Sequence, residues 1–174
     1  MSQGGYLIAM QILERLQQAG KMNSYINCLS ALKEAEQAQA KLAQGDFNGT
    51  LAKSNEAANL FNQIPEAKRL LGVCYADMSA AYGGLKDYQN VIIFAKKALM
   101  IVTGQSELYY TQGTLNMNLG NAFYHLGDLD AAASHLEEAL SILEKIPGSD
   151  KLISSIKNNL EIIKEDIGKH EKHG

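Results

Sequence analysis

Apolar residues recur along this chain at steps of three and four. Ile92, Ala95 and Leu99 form one such set, and Leu115, Leu119 and Phe123 another; at 3.6 residues per turn this spacing gathers side chains on one face of an α-helix. The periodic stretches predict eight helices, at 6–19, 24–43, 47–63, 66–84, 87–103, 107–125, 129–145 and 150–167, and no strand. Their short connections force consecutive helices to lie antiparallel and side by side. The polar residues 169–174 are expected to form a flexible tail.

The helices come in pairs with a fixed period. The triplets Gly45-Asp46-Phe47, Lys86-Asp87-Tyr88 and Gly127-Asp128-Leu129 follow one another at intervals of 41 residues, as do Ala57, Ala98 and Ala139, and Met78, Leu119 and Leu160. Glycine can take the left-handed conformation that ends a helix, aspartate can accept the first free amides of the next, and the apolar third residue packs inward. In the second unit Lys86 stands in the glycine place with Gly83-Gly84 just upstream, which leaves the start of that turn open by a few residues. The expected fold is therefore all-α, with tandem helix-turn-helix repeats stacked into a solenoid. One domain, 1–168, would hold a half-repeat at 6–19, repeats at 24–63, 66–103 and 107–145, and a polar-backed capping helix at 150–167.

The third unit reads Asn116, Leu119-Gly120, Phe123, Gly127, Ala132, Leu136, Ala139-Leu140 and Pro147; the second has Tyr75, Met78-Ser79, Tyr82, Tyr88, Val91, Ala95 and Ala98-Leu99. These residues resemble the tetratricopeptide repeat, whose signature runs through an aromatic, Leu-Gly, Tyr, then Ala and an aromatic. The first unit keeps only Ala38, Gly45-Asp46-Phe47, Ala57 and Pro65. Units longer than the usual ~34 residues, with Asn118-Leu119-Gly120-Asn121 inside them, look like the Leu-Gly-Asn-rich repeats of spindle-orientation scaffolds and resemble kinesin light chain repeats. The resemblance implies a right-handed superhelix whose first helices line a concave groove that holds a peptide or helix of a partner.

Composition narrows the partner. With 16 Lys+Arg against 19 Asp+Glu the formal net charge is −3, and 46% of the residues are hydrophobic. No strong basic field exists to hold a nucleic acid or an anionic membrane. Apolar runs such as Tyr6 to Met10 and Ala98 to Val102 are far short of the ~20 residues of a spanning helix. Met1 to Gly5 offer no basic segment followed by a long apolar core, so a cytoplasmic location is expected.

Candidate chemistry is sparse. Cys28 and Cys74 read as small packing residues, having neither metal-ligand spacing nor a visible activating base. His125 reads as a surface or peptide-contacting residue, and His170 and His173, with Glu171 between them, fall in the expected tail. Neither catalysis nor a metal or cofactor is expected. The candidate site is the groove, at Glu36, Gln39, Asp77, Ala80, Thr114, Asn118, Asn121, His125, Asn158 and Asn159. Asparagine carries both donor and acceptor and can pair with a peptide main chain whatever its side chains. The inner-helix positions hold no lysine or arginine, and Glu36, Asp77, Glu165 and Asp166 make the groove acidic, so a neutral or basic segment is the expected partner. Two alternatives stand beside this: a self-assembling module that oligomerises through the broad apolar face Tyr6 to Leu16, and a regulatory receptor for a signalling peptide.

Overall fold

A computed structural model describes residues 3–173, with side chains over 4–169. Among the described residues there are eight α-helices and no strand: α1 (Gln3–Gln18), α2 (Met22–Ala43), α3 (Phe47–Phe61), α4 (Lys68–Gly84), α5 (Tyr88–Val102), α6 (Tyr109–His125), α7 (Leu129–Leu143) and α8 (Asp150–His173). Short 3-10 turns, Pro65–Ala67 and Ser106–Leu108, lead into α4 and α6. The last helix continues well past its expected end at 167, into the stretch read as a tail.

The 41-residue triplet forms one turn three times. The amide of Asp46 donates to the Lys41 carbonyl at 2.9 Å, that of Asp87 to Tyr82 at 3.0 Å and that of Asp128 to Phe123 at 3.0 Å. The residue before each aspartate is left-handed, with φ of 76° at Gly45, 61° at Lys86 and 83° at Gly127. This is the Schellman ending, which satisfies carbonyls a helix terminus would otherwise leave bare. Each aspartate then caps the following helix: Gly49, Asn90 and Ala131 donate their amides to Asp46, Asp87 and Asp128 at 2.9, 3.2 and 3.0 Å. Lys86 thus takes the glycine's role in register, and the second turn does not start early; Gly83 and Gly84 remain within α4.

The turns pair α2 with α3, α4 with α5 and α6 with α7. Small residues set how closely the paired axes approach. Ala57, Ala98 and Ala139 are all fully buried, and at Gly120 a Cβ would stand 2.6 Å from Leu136 Cγ and 3.0 Å from the Ala132 carbonyl oxygen. The motif's Leu-Gly therefore has a packing cause. At the far end Ile156, Leu160 and Ile163 of α8 close the core of Leu136, Ala139 and Leu143, while Lys157 and Lys164 on its polar side face Glu144 and Glu137 at 3.2 and 3.8 Å. The cap has the amphipathic character that the solenoid end requires.

The first helix differs from its expected place as a stacked half-repeat. It packs chiefly on α2, α4 and the two 3-10 turns. Lys21 just after α1 meets Glu66 at 2.5 Å, Arg69 donates to Gln11 at 3.4 Å, and Gly4 abuts the Glu107 backbone. The helix thus crosses the starts of α4 and α6, burying Ile8, Ile12 and Leu16 in one core with Leu32, Ala35 and Leu70. Much of the broad apolar face Tyr6 to Leu16 is covered by the chain's own inner helices. Leu7 and Met10 remain exposed, at 49% and 70%.

Gly120→Ala is expected to lower stability by about 1–3 kcal/mol in urea unfolding, because the new methyl meets both Leu136 and a backbone oxygen. The intrinsic helix preference favours alanine by up to ~1 kcal/mol, so a stabilised variant would contradict the close-approach account.

Candidate functional site

The inner helices α2, α4 and α6 touch one another in sequence. α1 lies across the starts of α4 and α6, and the open concave surface runs from Gln39 and Leu42 near the end of α2 across α4 and α6 to α8. Two adjoining chambers occupy it. The first, about 510 Å³, lies between the end of α4, the turn at Lys86, the start of α5, and the facing sides of α6 and α8. The second, about 460 Å³, is bounded by Gln39, Val73, Asp77, Thr114 and Met117. Ala80 and Asn118 line both, so the chambers form one groove.

Cross-links between consecutive inner helices recur at a constant offset. The Gln39 amide donates to both Asp77 carboxylate oxygens, at 3.1 and 3.3 Å, across 38 residues. The Asn159 amide donates to Asn121 Oδ1 at 2.9 Å, again across 38. The same offset sets Ala80 opposite Asn118, where alanine has nothing to offer, and the Asn118 amide has no hydrogen-bond partner among the described residues. A half-buried, unpaired donor and acceptor therefore sits at the junction of the chambers. Beside it the rings of His125 and Tyr88 stack at 4.4 Å and 14°.

Eight of the ten sequence-predicted positions line this groove: Gln39, Asp77, Ala80, Thr114, Asn118, Asn121, His125 and Asn159. Glu36 and Asn158 are exposed and line neither chamber. Glu36 is engaged by α1, accepting from the Tyr6 hydroxyl at 3.1 Å. The expected acidity is also reduced. Asp166 accepts from the Tyr124 hydroxyl at 3.2 Å and pairs with Lys169 at 2.9 Å, and Glu165 is exposed outside both chambers. The expectation of a groove without lysine or arginine fails at Lys86, which lines the first chamber from the turn. Lys86, Tyr88 and Val91 are not inner-helix positions and join the groove because the turn and the start of α5 also form its wall. The available signal was the Lys-for-Gly exchange in the second triplet.

Asp77 is the one strongly perturbed acid among the described residues. Burial pushes its carboxyl up to about 7, only partly opposed by the Gln39 amide that favours the charged form. Elsewhere burial raises both thiols, Cys28 to about 11 and Cys74 higher still, so neither is a ready nucleophile near neutral pH. His135 stacks on Phe123 at 5.4 Å and donates from Nδ1 to Asn116 Oδ1 at 3.0 Å; burial lowers its pKa. No group of three or more His, Cys, Asp or Glu converges on a metal position among the described residues. The side chains of His170, Glu171 and His173 lie outside the described residues. No helix among the described residues is long and apolar enough to cross a membrane.

Comparison with known proteins agrees with this architecture. The tetratricopeptide repeat family matches residues 111–172. Among solved structures, a TPR-like protein from Chlorobium tepidum superposes with a TM-score of 0.72 at 17% identity, over 80% of this chain and 98% of that one. RapI in its apo form gives 0.69 at 16% identity over 96% of this chain, which spans 65% of RapI's length. BtubC (BKLC) from P. vanneervenii gives 0.64 at 19% over 95% of this chain and 67% of that one. No curated protein sequence matches.

Asp77→Asn is expected to stabilise the protein in a pH-dependent way. A carboxyl whose folded pKa lies above its unfolded value of 3.8 withdraws stability as pH rises from about 4 to about 7. At pH 8 the variant should therefore gain about 1–3 kcal/mol, a figure reduced from the full shift because the group is partly solvated. The gain should vanish near pH 4, as read by urea unfolding at both values; equal gains at both would show that Asp77 ionises normally.

Proposed function

We propose that this tetratricopeptide-repeat chain is a binding module whose groove holds an extended segment of a partner protein, with Asn118 and Asn121 pairing to the segment's main chain. The observation that carries this reading is Asn118 itself. Its neighbours on the ladder each make a bond across helices, whereas it faces Ala80 with both donor and acceptor free where the two chambers join. A half-buried amide in that state is stabilised by a ligand's carbonyl and amide, and a main chain supplies both. Thr114, Gln39 and Asp77 then border the neighbouring chamber, and His125 on Tyr88 gives a flat apolar surface for a side chain. Asp77 makes the Gln39 chamber suited to a neutral or basic side chain, more so above pH 7. Binding rather than catalysis is the function this arrangement serves, in a cytoplasmic setting.

A library of random 12-residue peptides displayed on phage supplies a probe, and recovered peptides can be titrated as synthetic ligands. Asn118→Ala should weaken them about 5- to 10-fold, the value of one to one and a half kcal/mol for a lost hydrogen-bonded amide at ~1.4 kcal/mol per decade. Binding that is unmoved by both Asn118→Ala and Asn121→Ala would place the ligand elsewhere.

A second reading, self-association through α1, draws on the exposed Leu7 and Met10 and the adjoining Leu13. Light scattering at high micromolar concentration is expected to give a mass above the monomer that Met10→Glu returns to the monomer. A monomeric mass unchanged by that substitution removes this reading and leaves the groove unaffected.

A further inference from the structure

The wall of the first chamber built from the end of α4 contains two residues that the fold itself disfavours. Lys86 adopts φ of 61°, and every other positive-φ residue among those described is a glycine: Gly20, Gly45, Gly104, Gly127 and Gly148. A side chain in the left-handed region crowds its own backbone, which is why glycine holds the equivalent place in the first and third turns. Gly83 is the reverse case. It lies inside a helix, where glycine is the weaker choice, yet a Cβ there would meet only Val91 Cγ2 at 3.8 Å, an ordinary contact. Its neighbour Gly84 does have a packing reason, since a Cβ would run into the Phe47 ring. Packing therefore explains Gly84 and leaves Gly83 and Lys86 unexplained. Both face the same chamber.

The chamber's charge gives the missing cause. No carboxylate lines it, Lys86 is its one lysine or arginine among the described residues, and the rest of the wall is apolar groups, asparagine amides and aromatic rings. The Lys86 ammonium makes no ion pair with any described residue. We propose that this end of the groove selects an acidic side chain of the bound segment, with Lys86 as its counter-charge and Gly83 as the point where the segment's main chain comes closest. The proposal rests on the peptide-groove reading above and adds to it the position and sign of a specificity contact. The neutral or basic preference read from the inner-helix positions then applies to the Asp77 chamber alone, and the segment is dipolar along the groove.

The same 12-residue display library provides the test, with thermal melting as the second readout. Peptides recovered on the unaltered chain should carry Asp or Glu at one fixed position. Lys86→Gly should melt about 1–3 °C higher, as the left-handed strain is relieved, while binding the acidic peptides about 3- to 10-fold more weakly. Gly83→Ala should likewise melt higher and bind more weakly, and Lys86→Glu should favour peptides with Lys or Arg at that position. Unchanged affinity in Lys86→Gly, a lower melting temperature in that variant, or recovered peptides without a fixed acid would each overturn the proposal. If those peptides are still weakened by Asn118→Ala, the groove reading survives that failure. If no recovered peptide responds to Asn118→Ala, the groove reading falls and this proposal with it.

Discussion

The hydrogen bond from each turn aspartate back to the carbonyl five residues earlier is what the rest of this molecule depends on. It can form only if the residue before the aspartate is left-handed, and it ends one helix while the same aspartate's carboxylate begins the next. Repeated every 41 residues, it gives three helix pairs the same geometry. Buried alanines and Gly120 then fix how near the paired axes come. Identical pairs stacked in series place residues 38 apart opposite one another on the concave side, which is why Gln39 meets Asp77 and Asn121 meets Asn159, while the place opposite Asn118 holds only an alanine, Ala80. The gap in the ladder is a direct product of the repeat.

Most of this was legible in the sequence because it is local or periodic. Turn chemistry declares itself in three residues, and the helical period declares the faces, so the inner positions Gln39, Asp77, Asn118, Asn121 and Asn159 could be placed from one repeat step. Three things resisted for physical reasons. The position of α1 depends on which apolar surface it meets in space, and its register with the repeats pointed to a stacked place it does not take. Glu36 has a groove-facing register but is engaged by Tyr6 from that helix. The charge of the groove depends on tertiary pairing: Asp166 is neutralised by Lys169, and burial holds Asp77 half-protonated near neutral pH. Lys86 was visible as an exchange in the triplet, but its place on the cavity wall comes from the fold.

Placing α1 over the starts of the inner helices also divides the concave surface. Where α1 covers the inner helices they become core, as the burial of Leu32, Ala35 and Leu70 with Ile8 and Ile12 shows. What stays open is the surface from Gln39 across Asp77 and Thr114 to the ends of α4 and α6, where the helices run into their turns and where α8 contributes Asn159 and Ile162. The cap therefore has two jobs, closing the core with Ile156, Leu160 and Ile163 and completing the groove with Asn159, Ile162 and Ile163 near its middle.

The claim that the C-terminal halves of α4 and α6 are the binding surface is tested most directly by amide chemical-shift mapping with a peptide recovered from the display library. The account predicts the largest perturbations at residues 80–88 and 118–125 and at Asn159, with little change over the outer helices α3 and α7 or over α1. Shifts concentrated on α1, or on the outer helices, with 80–88 and 118–125 unmoved, would contradict it.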